Sequence, residues 1–202
     1  GLGSIYWHMV SKLLLAVQET LLRTRAQGEP SSTVQALIDI YYGIRSGIGF
    51  NKPPDVYGAF PTDPYSHTPA GQGAKQPGMT GQVKEELLAR MGELGATVEQ
   101  GMLSFDTPLL RENEFTAQET TFHYVDVHGR EQSIDLPPNS LAYTFCQVPV
   151  VYVRSDRDRV DIAYANGFQR QVAGLCLDVD ASGHVFRRDG HMVRITVSLR
   201  PR

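Results

Sequence analysis

The stretch Val83-Lys-Glu-Glu-Leu-Leu-Ala-Arg-Met-Gly-Glu-Leu-Gly-Ala-Thr-Val-Glu-Gln-Gly-Met-Leu-Ser-Phe105 decides the fold class, because the spacing of its apolar residues changes partway along. Val83, Leu87, Leu88, Met91 and Leu94 recur three and four residues apart, which is one face of a helix. Gly95 follows, a residue suited to the left-handed turn that ends a helix. Beyond it, Thr97-Val98 and Met102-Leu103-Ser104-Phe105 flank Gln100-Gly101, the pattern of two short strands around a turn. The chain therefore reads as α+β, with helices before Gly95 and strands after it. Glu85 and Glu86 fall in the first turn of this helix, where acidic side chains complement the helix dipole.

Working back toward the N-terminus, residues 1–95 form a helical segment. Ile5, Met9, Leu13, Val17 and Leu21 recur every fourth residue, with Tyr6, Val10 and Leu14 beside them, and predict a helix over 5–25 with one broad apolar face. Gly28-Glu29-Pro30 breaks it, and Ser32 to Gln35 has the spacing of a capping box. Val34, Leu37, Ile38, Tyr41 and Tyr42 then predict a second helix over 33–46. A long loop over 47–81 follows. Its section from Asn51 to Pro69 holds five prolines, and Tyr57, Phe60 and Tyr65 lie within it. Loops longer than about 15 residues are uncommon in compact domains and are usually functional or disordered. Aromatic residues favour the ordered, functional alternative.

Forward of the junction, residues 96–202 read as an antiparallel β-sandwich or jelly roll. Expected strands cover Thr121 to Val127, Gln132 to Leu136, Leu141 to Phe145, Val148 to Val153 and Val160 to Tyr164. Asn166-Gly167 is a hairpin signal, and Leu175 to Leu177, Val185-Phe186 and Val193 to Leu199 complete the set.

Formal net charge is −3 with no basic block, so nucleic acid is not expected as a partner. No apolar run is long enough to cross a bilayer, so no membrane partner is expected either. Cys146 and Cys176 lie in expected strands and read as buried thiols. The chain opens inside a helical pattern with neither an initiator Met nor a signal peptide. It is expected to be a fragment or excised domain of a cytoplasmic protein.

Candidate chemistry concentrates in the long loop. Thr80, flanked by Gly78 and Gly81 at the start of a helix, offers a hydroxyl and free backbone N–H groups to a phosphate or sugar; an ordinary N-cap is the plainer reading. Asp63, Tyr65 and His67, held between prolines, together with Gln76, form a second polar set. Asp178, Asp180, Ser182 and Asp189 mimic a calcium loop, yet the flanks look like strands and the segment reads better as a hairpin turn. His123 and His128 would point to opposite faces of a strand beside Asp126. No metal site and no cofactor are expected.

One resemblance joins these readings. Pro77-Gly-Met-Thr-Gly-Gln82, the helix, Glu93-Leu-Gly95, then Val98-Glu-Gln-Gly-Met-Leu-Ser-Phe-Asp106 and Pro108-Leu-Leu110 resemble the end of the catalytic barrel in cellobiose-phosphorylase-like glycosidases and phosphorylases. In that family a six-hairpin α/α barrel runs into a C-terminal β-sandwich. The resemblance implies a C-terminal fragment of a glycoside hydrolase or phosphorylase, with Thr80, Gly81 and Gln82 at the sugar or phosphate site and His67 set against the family's loop histidine. It also implies a carbohydrate substrate, with phosphate as a further partner, and a general acid in sequence outside this chain. Gln82 stands where a small hydroxyl residue is usual, and Trp7 is the only tryptophan, so hydrolysis, phosphorolysis and other transfer all stay open. Two alternatives stand beside it. One is a non-catalytic carbohydrate-binding module using Tyr143, Tyr152 and Tyr164. The other is a structural module that forms a homodimer through helices 5–25 and 33–46.

Overall fold

The computed structural model describes residues 7–47 and 83–201. The chain divides into two compact units, Gly1–Gly92 and Glu93–Arg202. Helices make up the described part of the first unit, while strands with one helix make up the second. The α+β class is therefore observed.

In the first unit, α1 spans Trp7–Ala26, α2 spans Ser31–Gly47 and α3 begins at Val83 and ends at Glu93. Gly28, at φ 72°, closes α1: its N–H donates to the Arg25 carbonyl while that of Glu29 donates to the Thr24 carbonyl. This glycine stop satisfies two of the carbonyls a helix end leaves open. The Pro30 carbonyl then accepts from Thr33 and Val34, starting α2 one residue before Ser32. The expected capping box is not made, because Ser32 already lies inside the helix and the Gln35 amide donates to Asp39 instead.

Only part of the expected apolar face of α1 is buried, namely Leu14 and Leu21. Ser11, Leu14, Gln18 and Leu21 face inward, whereas Met9 and Leu13 are more than half exposed. On α3, Leu87 and Leu88 are exposed, while Glu85, Ala89 and Gly92 are buried. The reason is local packing. Gln18 lies so close over Gly92 that a Cβ there would sit 1.1 Å from the Gln18 amide nitrogen. A glycine on one helix and a flat amide on the other let these surfaces meet.

In the second unit, β1 (Ala96–Glu99) and β2 (Met102–Phe105) form a hairpin, as do β3 (Thr120–Val125) and β4 (Glu131–Leu136). The remaining strands are β5 (Ser140–Phe145), β6 (Val148–Arg154), β7 (Arg159–Tyr164), β8 (Gln169–Ala173) and β9 (Met192–Leu199). They build one sheet in the order β5-β6-β9-β7-β8, with β9 parallel to β6 and antiparallel to β7. The β1–β2 turn places Gln100 and Gly101 at positive φ, and the β5–β6 turn does the same with Cys146 and Gln147. Both are two-residue turns of the kind whose twist matches paired strands.

Val185-Phe186, expected as a strand, belongs to α4 (Val179–Arg187). Asp178 is its N-cap, accepting a hydrogen bond from the Ala181 N–H at 2.9 Å. Leu177, Ala181 and Val185 are spaced by four and all enter the core, so the helical period prevails over the β-branched valine. The Ser182 hydroxyl is buried and accepts from the Leu103 N–H at 2.9 Å, tying α4 to β2. Residues 175–177 pair along the other edge of β2 through Leu175 and Leu177. The resulting core joins Leu103, Phe105, Val150, Tyr152, Ile162, Val185, Ile195 and Val197.

Candidate functional site

Every loop residue singled out from the sequence, namely Asp63, Tyr65, His67, Gln76, Thr80, Gly81 and Gln82, lies outside the described residues. Among the described residues, polar chemistry gathers at a different place in the second unit. A cleft of about 220 Å³ opens between the β3–β4 turn, the β5–β6 turn and the start of β9; it is lined by Tyr124, Asp126, His128, Arg130, Gln147, Met192 and their neighbours.

Asp126 organises one wall. Its Oδ1 accepts from the backbone N–H groups of His128 at 2.9 Å and Arg130 at 3.0 Å. Its Oδ2 accepts from the Arg130 guanidinium at 3.1 Å and the Gln132 amide at 3.2 Å. The Arg130 N–H comes first among the causes that hold this carboxyl below the usual carboxylate range, with burial opposing and the His128 N–H and Gln132 assisting. Both oxygens are thus occupied, and the group is a turn organiser rather than a poised base. Burial pushes the Tyr124 phenol up, and the Asp126 charge adds to that, against Arg194. Gln147 donates from Nε2 to the Asp126 carbonyl at 3.0 Å, while its buried Oε1 has no hydrogen-bond partner. A ligand bearing a donor would find an acceptor there.

Gly190 links this cleft to a second cluster. Its φ is 76°, and a Cβ there would lie 2.8 Å from His128 Nε2, so glycine is needed on both counts. On either side of it in sequence, Asp189 and His191 meet His184 from α4. His184 Nδ1 lies 2.7 Å from Asp189 Oδ2, and His191 Nδ1 lies 3.1 Å from Asp189 Oδ1. The two rings are 5.0 Å apart at 47°. The His191 backbone N–H also donates to Oδ1 at 3.1 Å, and Arg187 Nε donates to Oδ2 at 3.3 Å. Burial would raise the Asp189 carboxyl, but hydrogen bonds from the His184 ring, the His191 N–H and the His191 ring outweigh it and hold the carboxyl far below its ordinary range.

The helix also settles the calcium-like pattern. Asp178 and Asp189 flank opposite ends of a nine-residue helix, which is about 13 Å long. They cannot share one ion. Asp178 instead caps the helix and pairs with Arg170. His123 sits within β3 opposite Ser133, apart from the turn that carries Asp126 and His128.

Sequence reasoning placed no role on His184 or His191. His191, two residues from Asp189, has the spacing of a strand face, but His184, five residues away, fits neither a helix face nor a strand face. The three converge only because α4 ends at Arg187 and Arg188 turns left-handed at φ 53°.

Two further expectations change. Cys176 is exposed rather than buried, and Cys146 is half-buried in the β5–β6 turn; both are free thiols. Tyr152 is fully buried, edge-on to Phe105 and Tyr143, with its hydroxyl donating to the Leu94 carbonyl. The exposed aromatic row that a sugar-binding face would need from Tyr143, Tyr152 and Tyr164 therefore loses its middle member. No family model and no curated protein matches the chain. No described helix is long and apolar enough to cross a membrane.

Proposed function

We propose that the chain is the C-terminal part of a carbohydrate-active enzyme, a glycoside hydrolase or phosphorylase, with the loop over 47–81 contributing to its sugar or phosphate site. One observation carries the reading. The helix ending at Glu93, the glycine turn at Gly95 with φ 68°, the β1–β2 hairpin and Pro108 follow one another in the order the resemblance implies. Gly95 is fixed there by space as well as conformation, since a Cβ would lie 2.0 Å from the Asp106 carbonyl oxygen. The exposed Met9, Leu13, Ile40, Leu87 and Leu88 add support, because helices of an α/α barrel bury such residues against further helices. The finer architecture, a barrel end leading into a β-sandwich, belongs to the same proposal. It draws on the 175–177 stretch, whose backbone pairs with the outer edge of β2 beside the β1–β2 hairpin.

Calorimetric titration with inorganic phosphate and with a panel of gluco-oligosaccharides tests the reading. Binding of phosphate or a sugar in the millimolar range, weakened at least tenfold by Thr80→Val, is the expected result. No binding of either class, or binding indifferent to Thr80→Val and His67→Ala, overturns it.

A further inference from the structure

We propose that His184, Asp189 and His191 form a binding site for a divalent transition-metal ion such as Zn2+. The donor atoms already converge: one ligand atom from each residue lies within 4.8 Å of the other two. The Asp189 carboxylate lies between the two rings, with Oδ2 2.7 Å from His184 Nδ1 and Oδ1 3.1 Å from His191 Nδ1. Zinc bonds to imidazole nitrogen and carboxylate oxygen of about 2.0–2.2 Å set neighbouring ligand atoms roughly 3.0–3.5 Å apart. The cluster thus reaches that spacing through side-chain rotation, which brings the two imidazoles closer around the carboxylate, rather than through a rebuilt backbone.

The ligand types point the same way. Two imidazoles and one carboxylate suit zinc, nickel, cobalt or iron(II) better than calcium or magnesium, which take oxygen ligands. Three protein ligands leave at least one coordination position to water or another small ligand. A neutral imidazole carries its proton on one nitrogen and a lone pair on the other. Ligation through Nδ1 puts that proton on Nε2, so a neutral ring need not release one.

The backbone holds the ligands before any ion arrives. His184 stands on the last turns of α4, and the Arg188 and Gly190 left-handed positions fold Asp189 and His191 back against it. The His191 N–H to Asp189 Oδ1 bond fixes the carboxylate orientation. Arg187 opposes the site, since its guanidinium contacts both Asp189 Oδ2 and His184 Nδ1 at 3.3 Å. Its side chain is 59% exposed, so it can swing into solvent when an ion takes its place.

The experiment uses the whole chain, freed of metal by chelator, titrated with Zn2+ alone in a calorimeter, with Co2+ visible absorption as a second readout. One equivalent is expected to bind with micromolar or tighter affinity. His191→Ala, at a side chain 68% exposed, should weaken binding at least tenfold while circular dichroism shows the fold intact. The triple change His184→Ala, Asp189→Asn and His191→Ala should abolish it, and Arg187→Ala should tighten it severalfold. No binding by either wild type or Arg187→Ala overturns the site. Binding that survives the triple change does so too, because it would place the ion on other histidines or on the cysteines.

Discussion

The helical unit and the β unit differ in how much apolar surface they bury for themselves. In the β unit, Phe105, Tyr152, Ile162, Val185 and Ile195 are almost wholly enclosed; Ser140, Ser182 and Ser198 are buried with them, and Ser182 is hydrogen-bonded to Leu103. In the helical unit, Ser11, Gln18 and Glu85 share the interior with Leu14, Leu21 and Tyr41, while Met9, Leu13, Leu87 and Leu88 face outward. The β unit has a large closed core with Val98, Val125, Phe168, Val179, Phe186 and Val193 left at its surface, whereas the described helices of the other unit bury few apolar side chains and expose Met9, Leu13, Ile40, Leu87 and Leu88. An apolar face that is not spent on a unit's own core is what one expects of a surface shaped for further packing.

That contrast can be broken most forcefully in the β core. Phe105→Ala removes a fully buried ring and should cost about 3–5 kcal/mol in urea unfolding. Leu13→Ala, at a position 53% exposed, should move the midpoint by less than about 0.5 kcal/mol. Equal costs would mean that the helical unit encloses Leu13 after all. A smaller effect is expected where the helices meet. Gly92→Ala drives a methyl into the Gln18 amide and should cost about 1–3 kcal/mol, recovered in part by Gln18→Ala on the same background. Failure of the second change to recover stability would remove Gln18 as the reason for the glycine.

A pH-dependent effect is expected at the start of α4. The Ala181 N–H, followed by Arg170, lowers the Asp178 carboxyl below its ordinary value, with burial opposing. A lowered folded-state pKa stabilises the fold fully above the unfolded carboxylate pKa, and that contribution fades as pH falls through the folded value. Asp178→Ala should therefore cost about 1 kcal/mol near neutral pH and progressively less in acid, as read from thermal melts across pH 2–7. A cost that stays constant through that range would mean the carboxylate charge plays no part in the cap.

Legibility followed the range of the interactions involved. Element types near the junction were readable, because Gly95, Gln100-Gly101 and the alternating strands act over a few residues. The face of a helix was less so. In α1 the fourfold run of Met9, Leu13 and Val17 is the stronger apolar stripe, yet the buried one runs through Ser11 and Gln18. That choice rests on Gly92, seventy-four residues from Gln18 in the chain. Val185-Phe186 has the look of a strand for a related reason, since a β-branched residue followed by an aromatic one favours strand until Asp178 is seen capping a helix ahead of it.

The sequence by itself determined the α+β class, the order of helices and strands around Gly95, and the turn at Gln100-Gly101, all set by local backbone preference and apolar period. Only the tertiary structure decided which helix faces are buried, how β9 comes to lie between β6 and β7, and that His184, Asp189 and His191 meet. Those outcomes depend on contacts between distant residues and on the left-handed turn at Arg188, and neither leaves a period that can be read along the chain.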